Sequence, residues 1–186
     1  FHREILDFLL EPVRSFDDSV DFKPIFTEMT EMLGVVFKIS ILTGLILAVP
    51  YVLYETVMFV SPGLPSRERR YFKAFLPLTV IAFGIGAAFG YYILFPPALH
   101  FLINFGTDIA DPYIRIGNYI NVITMLLFWM GIVFETPIVM FLLARFGVVS
   151  HKKFAAFRRF AVLLAFVLGA IITPTFDPIN QTLVAL

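Results

Sequence analysis

MLGVVFKISILTGLILAVPYVLYETVMFV, residues 32–60, is the stretch that decides the fold. Across it only Lys38 and Glu55 carry charge, and it exceeds the roughly 20 residues that an α-helix needs to cross the hydrocarbon of a bilayer. Lys38 lies one to two turns inside, close enough to snorkel to the nearer interface. Pro50 removes one backbone hydrogen bond and is expected to kink the helix. The rest of the chain agrees with a membrane setting: its 186 residues are 59% hydrophobic and 15% charged. Soluble domains run about half apolar and a quarter charged. Phe occurs 23 times and Trp once, a usage suited to lipid-facing and interhelical surfaces. Cys is absent, which removes disulfides, thiolate nucleophiles and Cys-based metal sites from consideration.

Outward from that span, the charges are segregated. Residues 1–31 hold eight acids and three bases, and Ile5, Phe8, Leu9 and Val13 recur at helical spacing among Glu4, Asp7 and Glu11. This is the pattern of a short amphipathic helix on the surface, forming an outer loop or cap. It has neither the basic start nor the apolar core of a signal peptide. Overlapping the end of that span is FVSPGLPSRERR (59–70), in which Glu68 stands among Arg67, Arg69 and Arg70, with Lys73 just beyond. No charge follows until Asp108. That run is longer than one crossing, so a second span is assigned to 75–97, with the helix expected to break at Phe95, Pro96 and Pro97 and to continue as a surface piece. Within it Gly86 with Gly90, and Gly84 with Ala88, form small-xxx-small pairs that allow close helix approach in lipid. The third span, 116–144, carries one charge, Glu135, two residues before Pro137. The fourth, 160–175, is short, since only 17 uncharged residues separate Arg159 from Asp177 and Pro174 lies among them. A span of that length must thin the bilayer or be shielded by neighbours. The expected fold is therefore all-α, a polytopic membrane helix bundle with four transmembrane helices and an amphipathic outer helix.

Orientation follows from the bases. Segments 61–74 and 145–159 hold four and five Lys/Arg, the turn 106–115 holds one and the tail none. The positive-inside rule makes the two basic segments cytoplasmic loops and turns both ends of the chain outward. An outward amino terminus without a signal sequence calls for a further span ahead of Phe1.

The candidate site residues are acids. An acid near the middle of a span costs on the order of 2.5–3.5 kcal/mol on insertion scales, so Glu135 must face protein, water or a partner. It is either a binding or proton-relay group or an acid bonded to a Thr or Asn of a neighbouring helix. Glu68 is either a carboxylate awaiting a cationic ligand, held by Pro62 and Pro65, or a counter-charge to Arg67 and Arg69. By composition alone the second reading is favoured, because surface pairs contribute only about 0–1 kcal/mol. Glu55 and Phe59 are four apart and share a helix face. Asp177, in TPTFDPINQ, has the setting of a turn residue that caps backbone amides. His2, His100 and His151 are scattered, and no phosphate loop or nucleophile elbow is present, so nothing points to catalysis, a metal or another cofactor.

Five strings, LILAVPYVLY (45–54), FVSPGLPSRERR, FPPALHFL (95–102), GIVFETPIV (131–139) and TPTFDPINQTLVAL (173–186), occur in the order and spacing of the TatC family of the twin-arginine protein translocase, which the chain resembles along essentially its whole length. The resemblance implies six spans in the family, of which the first and sixth lie outside this sequence. It implies a receptor that binds twin-arginine signal peptides of folded cargo and recruits the single-span subunits TatA and TatB, self-associates in a receptor complex, acts on no nucleic acid, is not an enzyme, and resides in the cytoplasmic membrane of a prokaryote. By motif position Glu68 is the acid that contacts the signal's arginines, with Phe59, Pro62 and Arg69 in the same recognition segment. Glu135 is the intramembrane acid at which partner helices dock. Asp177 and Gln181 belong to an outer loop, and Thr30, Glu31 and Lys38 to the start of a span. The family's usual Gln and Trp are replaced here by Glu55 and Val57, and Glu55 is expected to add negative potential to the arginine site. A different class of function, an ion-coupled small-solute transporter with Glu135 as proton carrier, competes with this reading.

Overall fold

The computed structural model describes residues 2–14, 25–60, 69–104, 114–145, 151–172 and 178–185. Helices account for nearly all of these: α1 (His2–Arg14), α2 (Glu31–Val60), α3 (Arg69–Phe89), a π turn (Gly90–Leu94), α4 (Phe95–Asn104), α5 (Ile116–Arg145), α6 (His151–Ile172) and α7 (Pro178–Ala185). Three continuous segments are long and apolar enough to cross a bilayer, Glu31–Thr56, Phe75–Asn104 and Ile116–Ala144, and Arg159–Ile171 is a shorter apolar helix. The only β-type pairing among the described residues is a parallel bridge between Ile25 and Arg115.

α3 packs along α5, and α2 lies against both. Glycine decides how close α3 and α5 come. A Cβ on Gly86 would fall 2.5 Å from the Met130 carbonyl oxygen, and one on Gly131 would fall 2.3 Å from the Phe83 ring. Gly90 continues the contact, 3.0 Å from Leu126 by the same construction, so the Gly86–Gly90 pair does face a neighbouring helix, while Gly84 faces open space.

Two expectations change. The second span does not break at Phe95–Pro97. Instead the helix widens into the π turn one residue earlier, where the Phe95 N–H donates to the Gly90 carbonyl, and it then runs on as α4. Pro96 and Pro97 have no N–H to give, and a π turn just before them supplies the extra residue that lets the axis shift without ending the helix. Nor is α4 a surface piece, since Phe95, Ala98 and Leu99 are buried. The second expectation was that the basic segments are loops throughout. Arg69, Arg70 and Lys73 lie in α3, and Lys152, Lys153, Arg158 and Arg159 lie in α6, because a helix can carry its charged first turns beyond the apolar crossing.

The amphipathic helix forms, with its buried face on Leu6, Leu9 and Val13, while Phe8 is 46% exposed. α1 buries Leu6, Leu9 and Val13 against Val35 and Ile39 of α2, Tyr91 of the π turn, Phe95 and Leu99 of α4, and Tyr119, Ile120 and Ile123 of α5. Pro12 lies inside α1 and so cannot donate to the carbonyl four residues back, that of Phe8. The Tyr91 hydroxyl donates to that carbonyl at 2.6 Å, and the Tyr91 and Phe8 rings stack with centroids 4.5 Å apart. Tyr119 donates to the next carbonyl, Leu9, also at 2.6 Å.

Below α1 a cluster of charges ties α2 to α5. Glu31 Oε2 accepts from the Thr27 N–H at 2.9 Å and from Arg115 Nη2 at 3.3 Å, and Glu31 Oε1 accepts from the Gly117 N–H at 3.0 Å. Arg115 also reaches Glu28, at 3.3 Å. Gly117 leaves room for that carboxylate, since a Cβ would stand 2.9 Å from Glu31 Oε1 and displace it. About two turns along α2, Lys38 donates to Asn121 of α5, so it is paired across the helix interface.

Candidate functional site

α2 and α5 are joined at the Glu31 end and part further along, where a groove of about 590 Å³ opens between them. On α2 it is lined by Leu45, Ala48, Val49 and Val52, spaced i, i+3, i+4 and i+7, so one helix face supplies the wall. On α5 the opposite wall is Ile132, Glu135, Thr136, Val139 and Leu143. Glu135 is 2% exposed, and neither carboxylate oxygen has a hydrogen-bond partner among the described residues. The bond to a neighbouring Thr or Asn that would have made it purely structural is thus not formed. A buried polar group without a partner costs free energy, so the groove lacks a hydrogen-bond donor that an occupant could bring.

Glu55 and Phe59 lie beyond the groove on the last turns of α2, both exposed, Phe59 at 86%. Tyr51, one turn earlier, is also exposed, at 56%. Tyr51, Glu55 and Phe59 therefore make one exposed face, the i, i+4 spacing seen in the sequence. Pro62, Glu68 and Asp177 fall outside the described residues, and Arg69 opens α3. Gln181 is on α7, where its Nε2 donates to the Phe166 carbonyl of α6 at 3.2 Å. Gly169 of α6 lets that contact close, a Cβ there coming 3.1 Å from the Gln181 carbonyl oxygen. The structure thus brings Glu55 and Phe59 together, sets Glu135 apart in the groove, and gives Gln181 a place in helix packing.

The sequence reading did not find the Arg115 side of the Glu31 cluster, nor Tyr91 and Tyr119. Arg115 had no signal beyond being the one base of its turn. Tyr91 could have been found from Pro12, whose missing N–H calls for a donor at Phe8.

These features define a multi-pass α-helical membrane protein whose most distinctive element is an apolar groove holding one unpartnered acid. The family profile described as Sec-independent protein translocase protein (TatC) matches residues 1–186. The chain belongs to the TatC family. It is 38% identical to a Sec-independent protein translocase protein TatC of Carboxydothermus hydrogenoformans over 97% of its own length and 72% of that protein. To the TatC of Aquifex aeolicus it is 37% identical, over 100% of this chain and 77% of that one. A crystal structure of the twin arginine translocase receptor TatC in DDM superposes with a TM-score of 0.83 at 36% identity, covering 100% of this chain and 81% of the other. The protein accordingly serves twin-arginine translocation, as a component of a protein translocase in a membrane.

Proposed function

We propose that this chain is the receptor core of the translocase, binding the paired arginines of signal peptides at the α2–α3 end of the bundle and receiving single-span subunits, TatA and TatB, in the α2–α5 groove. The observation that carries the reading is the exposed face of Tyr51, Glu55 and Phe59, which leads directly into the segment holding Pro62, Glu68 and Arg69. Guanidinium groups bind carboxylates through charge-assisted, often bidentate hydrogen bonds. Two acids, Glu55 and Glu68, on either side of Phe59 in the sequence offer that chemistry to a signal with paired arginines. Arg67, Arg69, Arg70 and Lys73 neighbour Glu68 in the sequence and make this segment net basic. By the positive-inside rule these bases assign this end to the cytoplasm, where unexported cargo waits.

The groove supports the second half of the reading. Its walls are apolar save for Glu135 and Thr136, so it fits an apolar helix bearing one hydrogen-bonding side chain at the level of Glu135. A transporter for small polar solutes would need a polar path, and the lining offers none, which weighs against Glu135 as a proton carrier in that class.

The test is export of a twin-arginine reporter by a full-length version carrying Glu68→Gln or Glu68→Ala. Export should fall to background while the protein still accumulates in the membrane. Undiminished export would remove Glu68 from the mechanism. Glu55→Gln should weaken signal-peptide crosslinking without abolishing it, and unchanged crosslinking would show that Glu55 adds nothing. Proton-dependent solute uptake by liposomes holding the purified protein alone would favour the transporter instead.

A further inference from the structure

The stretch between residues 25 and 30, ahead of α2, presents apolar side chains that neither the groove nor the arginine site uses. Phe26 is 64% exposed and Met29 97% exposed. A single exposed apolar residue is ordinary, but these are not isolated. Met29, Leu33, Phe37 and Ile41 recur every four residues, and the last three are 62%, 67% and 69% exposed. From Leu33 onward that row lies on a segment long and apolar enough to cross a bilayer, and no other described helix covers it. Met29 and Phe26, exposed as well, stand just ahead of it in the sequence, beside the charged start of the span.

The backbone that carries these side chains is tied down. The Ile25 N–H donates to the Ile114 carbonyl at 3.0 Å, and the Ile116 N–H donates to the Ile25 carbonyl at 2.9 Å. The Thr27 N–H is held by Glu31 at 2.9 Å, and the Glu31 N–H donates to Glu28 at 3.1 Å. Glu28 and Glu31 both meet Arg115. The short segment thus combines charges gathered on Arg115 with exposed apolar side chains, Phe26 and Met29, on a backbone held by hydrogen bonds. An ionic cluster beside exposed apolar side chains is the arrangement expected where the headgroup layer meets the acyl chains.

We propose that Phe26 and Met29 insert into the boundary between headgroups and acyl chains at the α1 end of the bundle, as an interfacial anchor that sets the depth and tilt of α2. The occupant of this surface is lipid, because the exposed apolar row that follows it in the sequence belongs to a segment apolar enough to cross a bilayer. Charge does not provide the attraction. Residues 1–31 hold eight acids and three bases, a balance that disfavours anionic headgroups, so the anchor works by apolar insertion and is indifferent to salt. Anchors at helix ends fix tilt in this way.

The experiment places Met29→Trp, and separately Phe26→Trp, in a Trp129→Phe background, which removes the one native tryptophan. Each variant is reconstituted into phosphatidylcholine nanodiscs at one copy per disc, with retained helicity and melting as the folding control. The expected result is blue-shifted emission that is lost when the lipids are brominated high on the acyl chain, that aqueous iodide barely quenches, and that salt does not change. Quenching by iodide with no effect of brominated lipid would place the segment in water and overturn the proposal. A blue shift that appears only in discs holding two copies would make the surface an interface between copies, which overturns it as well. Phe26→Trp, a change between exposed aromatic side chains, keeps the test open should Met29→Trp fail to fold.

Discussion

Replacing Tyr91 with Phe removes one hydroxyl and little else, and its cost should depend on a proline 79 positions away in sequence. Tyr91 donates to the Phe8 carbonyl at 2.6 Å, and that carbonyl has lost its own helical partner because residue 12 is Pro. The stacked contact with Phe8, at 4.5 Å between centroids, survives in Tyr91→Phe, so the aromatic contribution cancels. What remains is a part-buried carbonyl without a donor, which costs about 1–3 kcal/mol. In Pro12→Ala the backbone N–H of residue 12 can reach the Phe8 carbonyl, and the same Tyr91→Phe change should then cost much less. A double-mutant cycle on melting in detergent reads the difference. At about 2–4 °C per kcal/mol for chains of this size, Tyr91→Phe should lower the midpoint by several degrees in the native background and by a small fraction of that beside Pro12→Ala. Tyr119→Phe is the control. Leu9, its acceptor, keeps the N–H of Val13 as a helical partner, so the loss should be smaller and unaffected by Pro12→Ala. Equal drops for Tyr91→Phe in the two backgrounds would refute the idea that Tyr91 substitutes for the missing proline N–H.

The α3–α5 contact predicts opposite outcomes for three glycines: Gly131→Ala, meeting the Phe83 ring at 2.3 Å, and Gly86→Ala, meeting the Met130 carbonyl at 2.5 Å, should each destabilise by about 1–3 kcal/mol in thermal melts, whereas Gly84→Ala, with nothing within 4 Å, should be neutral or stabilising. Gly117→Ala, which brings a methyl within 2.9 Å of Glu31 Oε1, should loosen the Glu31 cluster, and hydrogen exchange should speed at Thr27 and Gly117. Glu135→Leu should raise the melting midpoint by removing an unpartnered buried acid, while reducing co-purification of single-span subunits with a full-length version. A variant that loses both stability and partners would show instead that Glu135 is bonded within the bundle.

What the sequence determined is what depends on neighbours along the chain. Runs such as 32–60 and 116–144 are apolar over the length of a bilayer, and that length alone dictates where helices cross. The spacing of Leu9 and Val13 announced α1, and the Gly86–Gly90 pair announced a close approach. Local chemistry misled at Phe95–Pro97, because two prolines argue for a break and only the preceding π turn, shaped by packing of Tyr91 and Leu94 in the core, shows how the helix continues. The tertiary structure alone decided which distant groups meet. Tyr119 finds Leu9 across 110 positions, and Gly117 finds Glu31 across 86, since which faces of packed helices oppose each other is set by the whole interface. The same holds for Glu135. Its position in a span marked it as costly, but that it sits in an apolar groove with no donor follows from how far α2 and α5 part beyond the Glu31 and Lys38 ties, which no stretch of sequence encodes on its own.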